Sequence, residues 1–534
     1  MQQVLACNIY TAVEFILPAV AEITIQLVVT IAGSLSVIFV SLFQTICMQS
    51  TKLFPVLFLF LFISITGFSQ QASYSAAVEE RIKQVEKRLG EAIKTDDKPI
   101  ILQDRMKQYG VPGLSIAVIK DHKIEWTRGY GYADKESARP VTPQTLFQAA
   151  SLSKSINAVG VLRLVQQKKL DLDKDINTYL KSWKFPYDTA KGKTPITLRH
   201  LLSHTAGTSV HGFRGYAASE KIPTVIQILD GEAPANSKPV RSMFEAGTRV
   251  QYSGGGTTIS QLIVMDVTGQ PYDAYMQQNV LNPLGMDNSF YTAPPPTGKT
   301  MLISTAYRQD GTAVKGGYHI YPENAAASLW TTPTDIAKFI IALQLAGSGK
   351  SEKVLNKETA ALMLTPYKDN ATLGTWIRTA GTDQYFNHGG SNEGFRCVYY
   401  GSKEGGNGVV VMVNSDEGSI LQEVVAAVAT VYGWKDFYKP VVRKTVVVPT
   451  SVLDSYVGEY ELNPQFRIAI VRRENALFAQ ATGQGEVALY PEASNKFFLK
   501  VVEASIDFIS DDSGKITKLV LHQNGQNSEA PKVK

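Results

Sequence analysis

Apolar positions divide the chain into stretches of different period. Val78, Ile82, Val85 and Leu89 repeat at three- and four-residue spacing, which predicts helix across 73–110. Leu114–Ile119 and Ile124–Gly129 are strand-like runs joined by Lys120-Asp121-His122-Lys123, the pattern of an antiparallel hairpin. Helical spacing returns from Ser151 to Gln167, with Ile156, Val159, Leu162 and Val165 on the side expected to be buried. Another helix starts at Thr197 and runs into Leu201-Leu202-Ser203-His204-Thr205-Ala206-Gly207, where Gly207 suits a left-handed stop. Thr332 and Pro333 supply a cap and a first helical residue for a helix through Phe339. Residues 395–414 read as two strands around the turn Gly401 to Gly408, and Leu421–Tyr432 as an amphipathic helix.

After Trp434 the pattern changes. Pro440 and Pro449 flank a Val-rich run, and beyond it helical periodicity disappears. Tyr456–Tyr460, Ile468–Arg472, Ala476–Gln480, Phe497–Val501, Ile506–Ile509 and Leu519–His522 are short strand-like runs, with Asp511-Asp512-Ser513-Gly514 a clear turn. That spacing predicts a separate small β-barrel or sandwich.

The first 70 residues carry one basic residue, Lys52, and two acidic ones, Glu14 and Glu22. Met48 to Lys52, the apolar run Leu53 to Ile65 and the small residues around Gly67-Phe68-Ser69 match a secretory signal peptide. Upstream, Ile23 to Ile46 is long and apolar enough to span a bilayer, with no flanking charge to orient it. Two readings stand for 1–47: translation starts at Met48, or the extension is a membrane anchor. Both export the remainder to the periplasm or the exterior. The expected organisation is therefore an apolar extension (1–47), a signal peptide (48–70), a main domain (71–437), a linker (438–450) and a β domain (451–534).

With 534 residues and 44% hydrophobic content, the chain can bury a large core. A net charge of +5 without a Lys/Arg block gives no nucleic-acid surface. Of three cysteines, Cys7 and Cys47 fall in the leader and Cys397 is left alone, so no internal bridge is expected in the mature part. The seven histidines are scattered and no His-Glu-x-x-His occurs, so no metal site and no cofactor are expected. Gly-x-Ser-x-Gly is also absent, which disfavours an ordinary esterase elbow.

The candidate chemistry lies in three ordered motifs. In Ser151-Leu152-Ser153-Lys154 the spacing puts an amine beside a hydroxyl on one helix face, which can activate a weak nucleophile. A helix N-terminus also offers free N–H groups and a positive dipole end to a developing oxyanion. Tyr252-Ser253-Gly254 opens a run of three glycines, and a Tyr there can relay a proton. In His388-Gly389-Gly390, between two strand-like segments, the glycines let a ligand lie against a strand edge, and the imidazole can donate a hydrogen bond or supply positive charge. His204-Thr205-Ala206-Gly207 copies this third pattern but precedes Tyr252, and is read as a structural turn.

Together these motifs resemble the serine β-lactamase and penicillin-recognising superfamily, in its class C and DD-peptidase-related branch. Phe147-Gln148-Ala149-Ala150, Leu201 to Gly207 and Ser328 to Phe339 extend the likeness over roughly 95–435. The resemblance implies an α+β fold of β-lactamase/transpeptidase type: an antiparallel sheet flanked by helices, beside a helical region, with the site in the groove between them. It implies that the C-terminal part is a small all-β, lipocalin-like domain. By position Ser151 is the nucleophile, Lys154 and Tyr252 share the proton work, and His388, Gly389, Gly390 and Gly254 form the substrate-binding motifs. The backbone N–H groups of Ser151 and Ser391 make the oxyanion hole.

Two departures bear on function. Gly254 stands where the family's second motif usually ends in Asn, and no Lys-Thr-Gly or Ser-Asp-Asn occurs. The expectation is a secreted serine hydrolase acting on a small peptide, amide or ester, with cell-wall fragments among the substrates and membrane anchoring through 1–47 among the options. A true class C β-lactamase and a catalytically inactive binding protein on the same fold are the alternatives. The loops Val210–Pro223 and Asp230–Val240 are expected to line the groove.

Overall fold

Strands buried on both faces form the centre of the main sheet in the computed structural model, which describes residues 74–95, 99–500, 502–523 and 525–533. Among these residues the sheet has seven antiparallel strands: Gly113–Lys120 (β1), Lys123–Asp134 (β2), Arg139–Pro140 (β3), Trp376–Ala380 (β4), Asp383–Asn392 (β5), Phe395–Ser402 (β6) and Gly408–Val413 (β7). Their spatial order is β3-β2-β1-β7-β6-β5-β4. The expected hairpin is present, and Asp121 and His122 both take the left-handed conformation that a tight two-residue turn demands (φ 52° and 59°).

β7 is buried on both faces, so its pattern is a continuous apolar run. Val409, Val411 and Val413 join one core and Val410 and Met412 the other. Helices Ala76–Lys87 (α1), Leu102–Tyr109 (α2), Ser153–Gln166 (α3), Leu198–Leu202 (α4), Gly254–Thr268 (α5), Pro333–Gly347 (α6) and Ser419–Val431 (α7) complete the frame. α1, α2 and α7 cover the first face. α6 covers the second, and α3 and α5 extend that core into the helical region. Thr332 caps α6 by accepting from the Asp335 N–H at 3.2 Å, with Pro333 first in the helix. Such a cap contributes about 1 kcal/mol.

Three local expectations change. The stretch 73–110 is two helices, α1 and α2, with the two-residue strand Ile93–Lys94 between them. α1 ends at Lys87 with Arg88 as its cap, and Gly90 follows in close contact with α7: its N–H donates to the Glu423 carbonyl, and a Cβ there would lie 2.5 Å from the Ala426 methyl. α4 ends before His204 (φ 57°), well ahead of Gly207. His388-Gly389-Gly390 lies inside strand β5 and not between strands.

The last part of the chain is a meander of eight strands: Gly458–Asn463 (β8), Phe466–Arg473 (β9), Ala476–Ala481 (β10), Glu486–Pro491 (β11), Lys496–Leu499 (β12), Ala504–Ser510 (β13), Ile516–Gln523 (β14) and Gln526–Pro531 (β15). It curls back on itself, where Tyr460 bridges to Lys532 and the Val533 N–H donates to the Glu459 carbonyl. Tyr456 ends the helix Thr450–Tyr456 and does not begin a strand. The expected linker is tied at both ends. Val441–Val442 pairs in parallel with Ile93–Lys94, and the Val446 N–H donates to the Pro491 carbonyl.

The signal peptide, the apolar extension, Cys7 and Cys47 lie outside the described residues. Among the described residues no helix is long and apolar enough to cross a membrane.

Candidate active site

Ser151 sits in a single 3-10 turn, Ala150–Leu152, that runs straight into α3. Residues 152–162 are all buried, whereas Ser151 keeps partial exposure to the groove. Ala150, immediately before it, is left-handed (φ 47°). An L-residue pays about 1–2 kcal/mol for that conformation, and the surroundings hold it there. The Ala149 N–H donates to the Leu329 carbonyl at 2.7 Å. The Ser153 hydroxyl donates to the Ala150 carbonyl at 2.6 Å and accepts from the Leu329 N–H at 3.1 Å.

Lys154 follows one turn later, 4% exposed. Its Nζ donates to Ser151 Oγ at 3.0 Å and to the Ala326 carbonyl at 2.8 Å, and lies 4.9 Å from the centre of the Tyr252 ring. Two of its donors are therefore fixed, and one of them ends on the hydroxyl to be activated. The Ala326 carbonyl reaches Lys154 because Asn324–Ser328 is wound as one π-type turn, a local device often found at functional sites.

Tyr252 precedes α5. Ser253 caps that helix, accepting from the Gly256 N–H at 2.9 Å. The Gly254 N–H donates to the His211 carbonyl at 3.0 Å, and a Cβ on Gly254 would lie 3.0 Å from the Phe213 ring. The loop 208–216 thus occupies the space that a longer side chain at position 254 would need.

The third motif is shaped by strand register. β4 pairs with β5 only as far as Trp376 opposite Asn387, while β6 accompanies β5 to Asn392. From His388 onward one edge of β5 therefore has no strand partner among the described residues. Gly390 passes so close to the nucleophile turn that a Cβ would lie 2.5 Å from the Ala149 carbonyl oxygen. Gly389 and Ser391 are exposed.

His388 itself is 3% exposed. Its Nδ1 lies 2.6 Å from the Gly389 carbonyl, which can only accept, so Nδ1 carries the proton. Among the described residues its buried Nε2 has no hydrogen-bond partner. Burial, and then the charge of Lys154, lower its pKa to about 4. Burial and the Lys154 charge therefore leave the ring neutral at pH 7, so of the two expected roles, hydrogen-bond donor or positive charge, the charge is not supplied at that pH, and the ring's one proton points to the Gly389 carbonyl.

Two buried residues escape sequence reasoning. His204, read as a plain turn, packs its ring 4.3 Å from that of Tyr252. Glu323 has no exposed surface, and neither carboxyl oxygen has a hydrogen-bond partner among the described residues. Burial pushes its pKa up to about 8. The Glu323 carbonyl accepts from the Ala326 and Ala327 N–H groups, within the turn that holds Lys154.

A pH dependence of stability follows. Below about pH 4.5 this carboxyl is protonated in folded and unfolded chains alike. As the pH rises toward 8, only the unfolded chain gains by ionising, so the native protein loses stability relative to a Glu323→Gln variant. The gap is expected to widen by up to about 1.4 kcal/mol per pH unit. Urea unfolding of both proteins at pH 5 and pH 8.5 checks it. A difference that stays constant with pH contradicts the buried-acid assignment.

Sequence comparison matches residues 101–429 to the family described as Beta-lactamase and residues 442–530 to a domain of unknown function (DUF3471). A penicillin-binding protein of Bacillus subtilis (strain 168) is 21% identical, covering 77% of this chain and 93% of that protein. Among solved structures, the octameric penicillin-binding protein homologue from Pyrococcus abyssi superposes with a TM-score of 0.54 at 21% identity, over 80% of this chain and 98% of that one. The D-amino acid amidase from Ochrobactrum anthropi SV3, complexed with L-phenylalanine amide, gives 0.52 at 22% identity, over 67% and 98%. The structural likenesses are likenesses of fold.

Proposed function

The chain belongs to the Beta-lactamase family, and from that premise we propose that it is a serine hydrolase working through an acyl-enzyme at Ser151 on a small amide, peptide or ester. The observation that carries the reading is the 3.0 Å contact of Lys154 Nζ with the partly exposed Ser151 Oγ.

In this mechanism Ser151 Oγ attacks the substrate carbonyl carbon and its proton passes to the Lys154/Tyr252 pair, which enters the step one proton short, as amine beside phenol or as ammonium beside phenolate. The carbonyl oxygen gains the electron pair and rests on the Ser151 and Ser391 N–H groups. Collapse expels the amine or alcohol, which takes the proton from the pair. Water then attacks the ester at Ser151, yielding the acid and the free serine. Positioned proton transfer is worth about 10²–10⁴-fold, and each oxyanion donor about 10²–10³-fold.

Amide and ester substrates are favoured over β-lactams. At Gly254 there is no side-chain amide to hold an acyl-amide group, and the loop carrying His211 and Phe213 closes that space. His388, neutral at pH 7, brings no positive charge for a carboxylate. Likeness of fold to an amidase of D-amino acids supports including D-amino acid amides among the candidates.

The test is steady-state turnover of D-amino acid amides, D-alanyl peptides, p-nitrophenyl esters and nitrocefin. The expected result is turnover of an amide, peptide or ester at least about tenfold above nitrocefin in kcat/KM, a gap of about 1.4 kcal/mol. Nitrocefin as the best substrate would restore the β-lactamase alternative, and no turnover of any would favour a binding protein on the same fold.

A further inference from the structure

We infer that His204 is a positioning residue for Tyr252, clamping it from both sides along the chain and tying it to the sheet. The inference rests on the proton role proposed for Tyr252.

The clamp is built from backbone contacts to one residue. The Gln251 N–H donates to the His204 carbonyl at 2.8 Å, and the Ser253 N–H donates to His204 Nδ1 at 3.3 Å. The residues on either side of Tyr252 are thus both bound to His204, and the Tyr252 backbone is held between them. The second bond requires Nδ1 to be an acceptor, so the ring carries its proton on Nε2 and is neutral. Its surroundings enforce this: His204 is 5% exposed, burial depresses its pKa well below the usual imidazole value, and Lys154, His388 and His211 all add positive or potentially positive charge nearby.

The ring contacts extend the clamp across the groove. The imidazole packs against the Tyr252 ring at 4.3 Å and also stacks on Trp376 at 5.8 Å and 12°. Trp376 is the end residue of β4, paired to Asn387 next to His388, and Asn387 Nδ2 donates to its carbonyl. One imidazole therefore links Tyr252 in the helical region to the strand edge that carries the third motif. His204 also adopts a left-handed backbone (φ 57°), a conformation that Asn tolerates better than most residues. The surrounding contacts hold a turn that could have ended on glycine at lower cost.

The experiment measures single-turnover acylation of the protein by p-nitrophenyl acetate from pH 6 to 10, with melting temperature recorded for each variant. Tyr252→Phe is expected to slow acylation about 100-fold, within the range for proton transfer. His204→Phe keeps a ring but loses the acceptor. It is expected to lower the limiting acylation rate constant about tenfold, with the half-saturating ester concentration unchanged, and to shift the alkaline limb of the pH profile. His204→Asn keeps an acceptor atom near the Nδ1 position and is expected to restore the wild-type rate within about threefold, pH limb included. In the double variant His204→Phe/Tyr252→Phe the two losses are expected not to multiply, because one residue acts through the other.

Multiplying losses, or a wild-type rate and profile in His204→Phe beside an impaired Tyr252→Phe, would overturn the clamp and leave the role of Tyr252 standing. A wild-type rate in Tyr252→Phe would overturn that role and the clamp with it. If His204→Phe does not fold, His204→Gln replaces it. Its longer side chain misplaces the acceptor, so Gln should be about tenfold slower than Asn, and equal rates for the two would overturn the inference.

Discussion

Replacing Ser151 by alanine is expected to abolish acylation and lower turnover by roughly 10⁴-fold or more, the scale on which serine hydrolases lose activity with their nucleophile. The fold should persist. Ser151 is partly exposed, but its hydroxyl is an acceptor for the buried Lys154 Nζ, so a stability cost of up to about 1–3 kcal/mol is expected. Lys154→Met is the companion variant. It keeps the length of the stem but removes the donor to Ser151 Oγ, and about a 10³-fold loss is expected from the missing proton transfer. It also strips the Ala326 carbonyl of its Lys154 donor, at a stability cost of about 1–3 kcal/mol. The double variant should be no slower than Ser151→Ala alone, since an amine with no hydroxyl to serve contributes nothing to acylation. Stopped-flow acylation and urea unfolding on the three proteins measure both quantities, and multiplicative losses would contradict a shared step.

Gly390→Ala is expected to slow acylation about 100-fold without approaching the groove from the solvent side. The added methyl would lie 2.5 Å from the Ala149 carbonyl oxygen and would also overlap Cys397 Sγ and crowd the Ala150 methyl. A side-chain sulfur can shift, but Ala149 is backbone of the left-handed turn that aims Ser151. The turn must therefore move, and a misplacement near 1 Å costs about 10²-fold in a site that works by geometry. Cys397→Ala alone should leave the rate within about threefold, since its thiol serves only as a weak donor to the Ala149 carbonyl at 3.1 Å. Adding it to Gly390→Ala should not rescue, because the clash with the carbonyl remains. Gly389→Ala is the steric counterpart: the nearest atom to its methyl would be the Cys397 carbonyl oxygen at 3.9 Å, so the nucleophile turn and the melting temperature should be unmoved, and any loss of activity should fall on substrate binding at the strand edge. Full rescue by Cys397→Ala would move the constraint from the backbone to the sulfur.

The parts of the fold carried by local chemistry can be read in the chain. The hairpin at Asp121-His122, the Thr332-Pro333 helix start and the two apolar strands 395–402 and 408–413 follow from turn, cap and local hydrophobic pattern. The serine, lysine and tyrosine of the candidate site stand out in the sequence because they sit in ordered motifs. Glu486–Pro491 and Gln526–Pro531 are missed as strands for a physical reason. The latter, Gln-Asn-Ser-Glu-Ala-Pro, has no β-branched or aromatic residue and buries only Ala530, so tertiary pairing and not propensity makes it a strand. His204 is hidden differently. Its part in the site comes from a left-handed backbone angle and from rings at positions 252 and 376, separations that no local pattern encodes. Glu323 belongs to no motif, and its burial comes only from the closing of the loop around it.

The central claim is that Ser151 becomes acylated. The direct measurement is intact-protein mass spectrometry with peptide mapping after reaction with a fluorophosphonate and, separately, with the best substrate of the panel under rapid acid quench. One adduct of the expected mass on the peptide containing Ser151, absent from Ser151→Ala and formed slowly in Lys154→Met, is the predicted result. An adduct at another residue, or turnover that persists in Ser151→Ala without one, would contradict it.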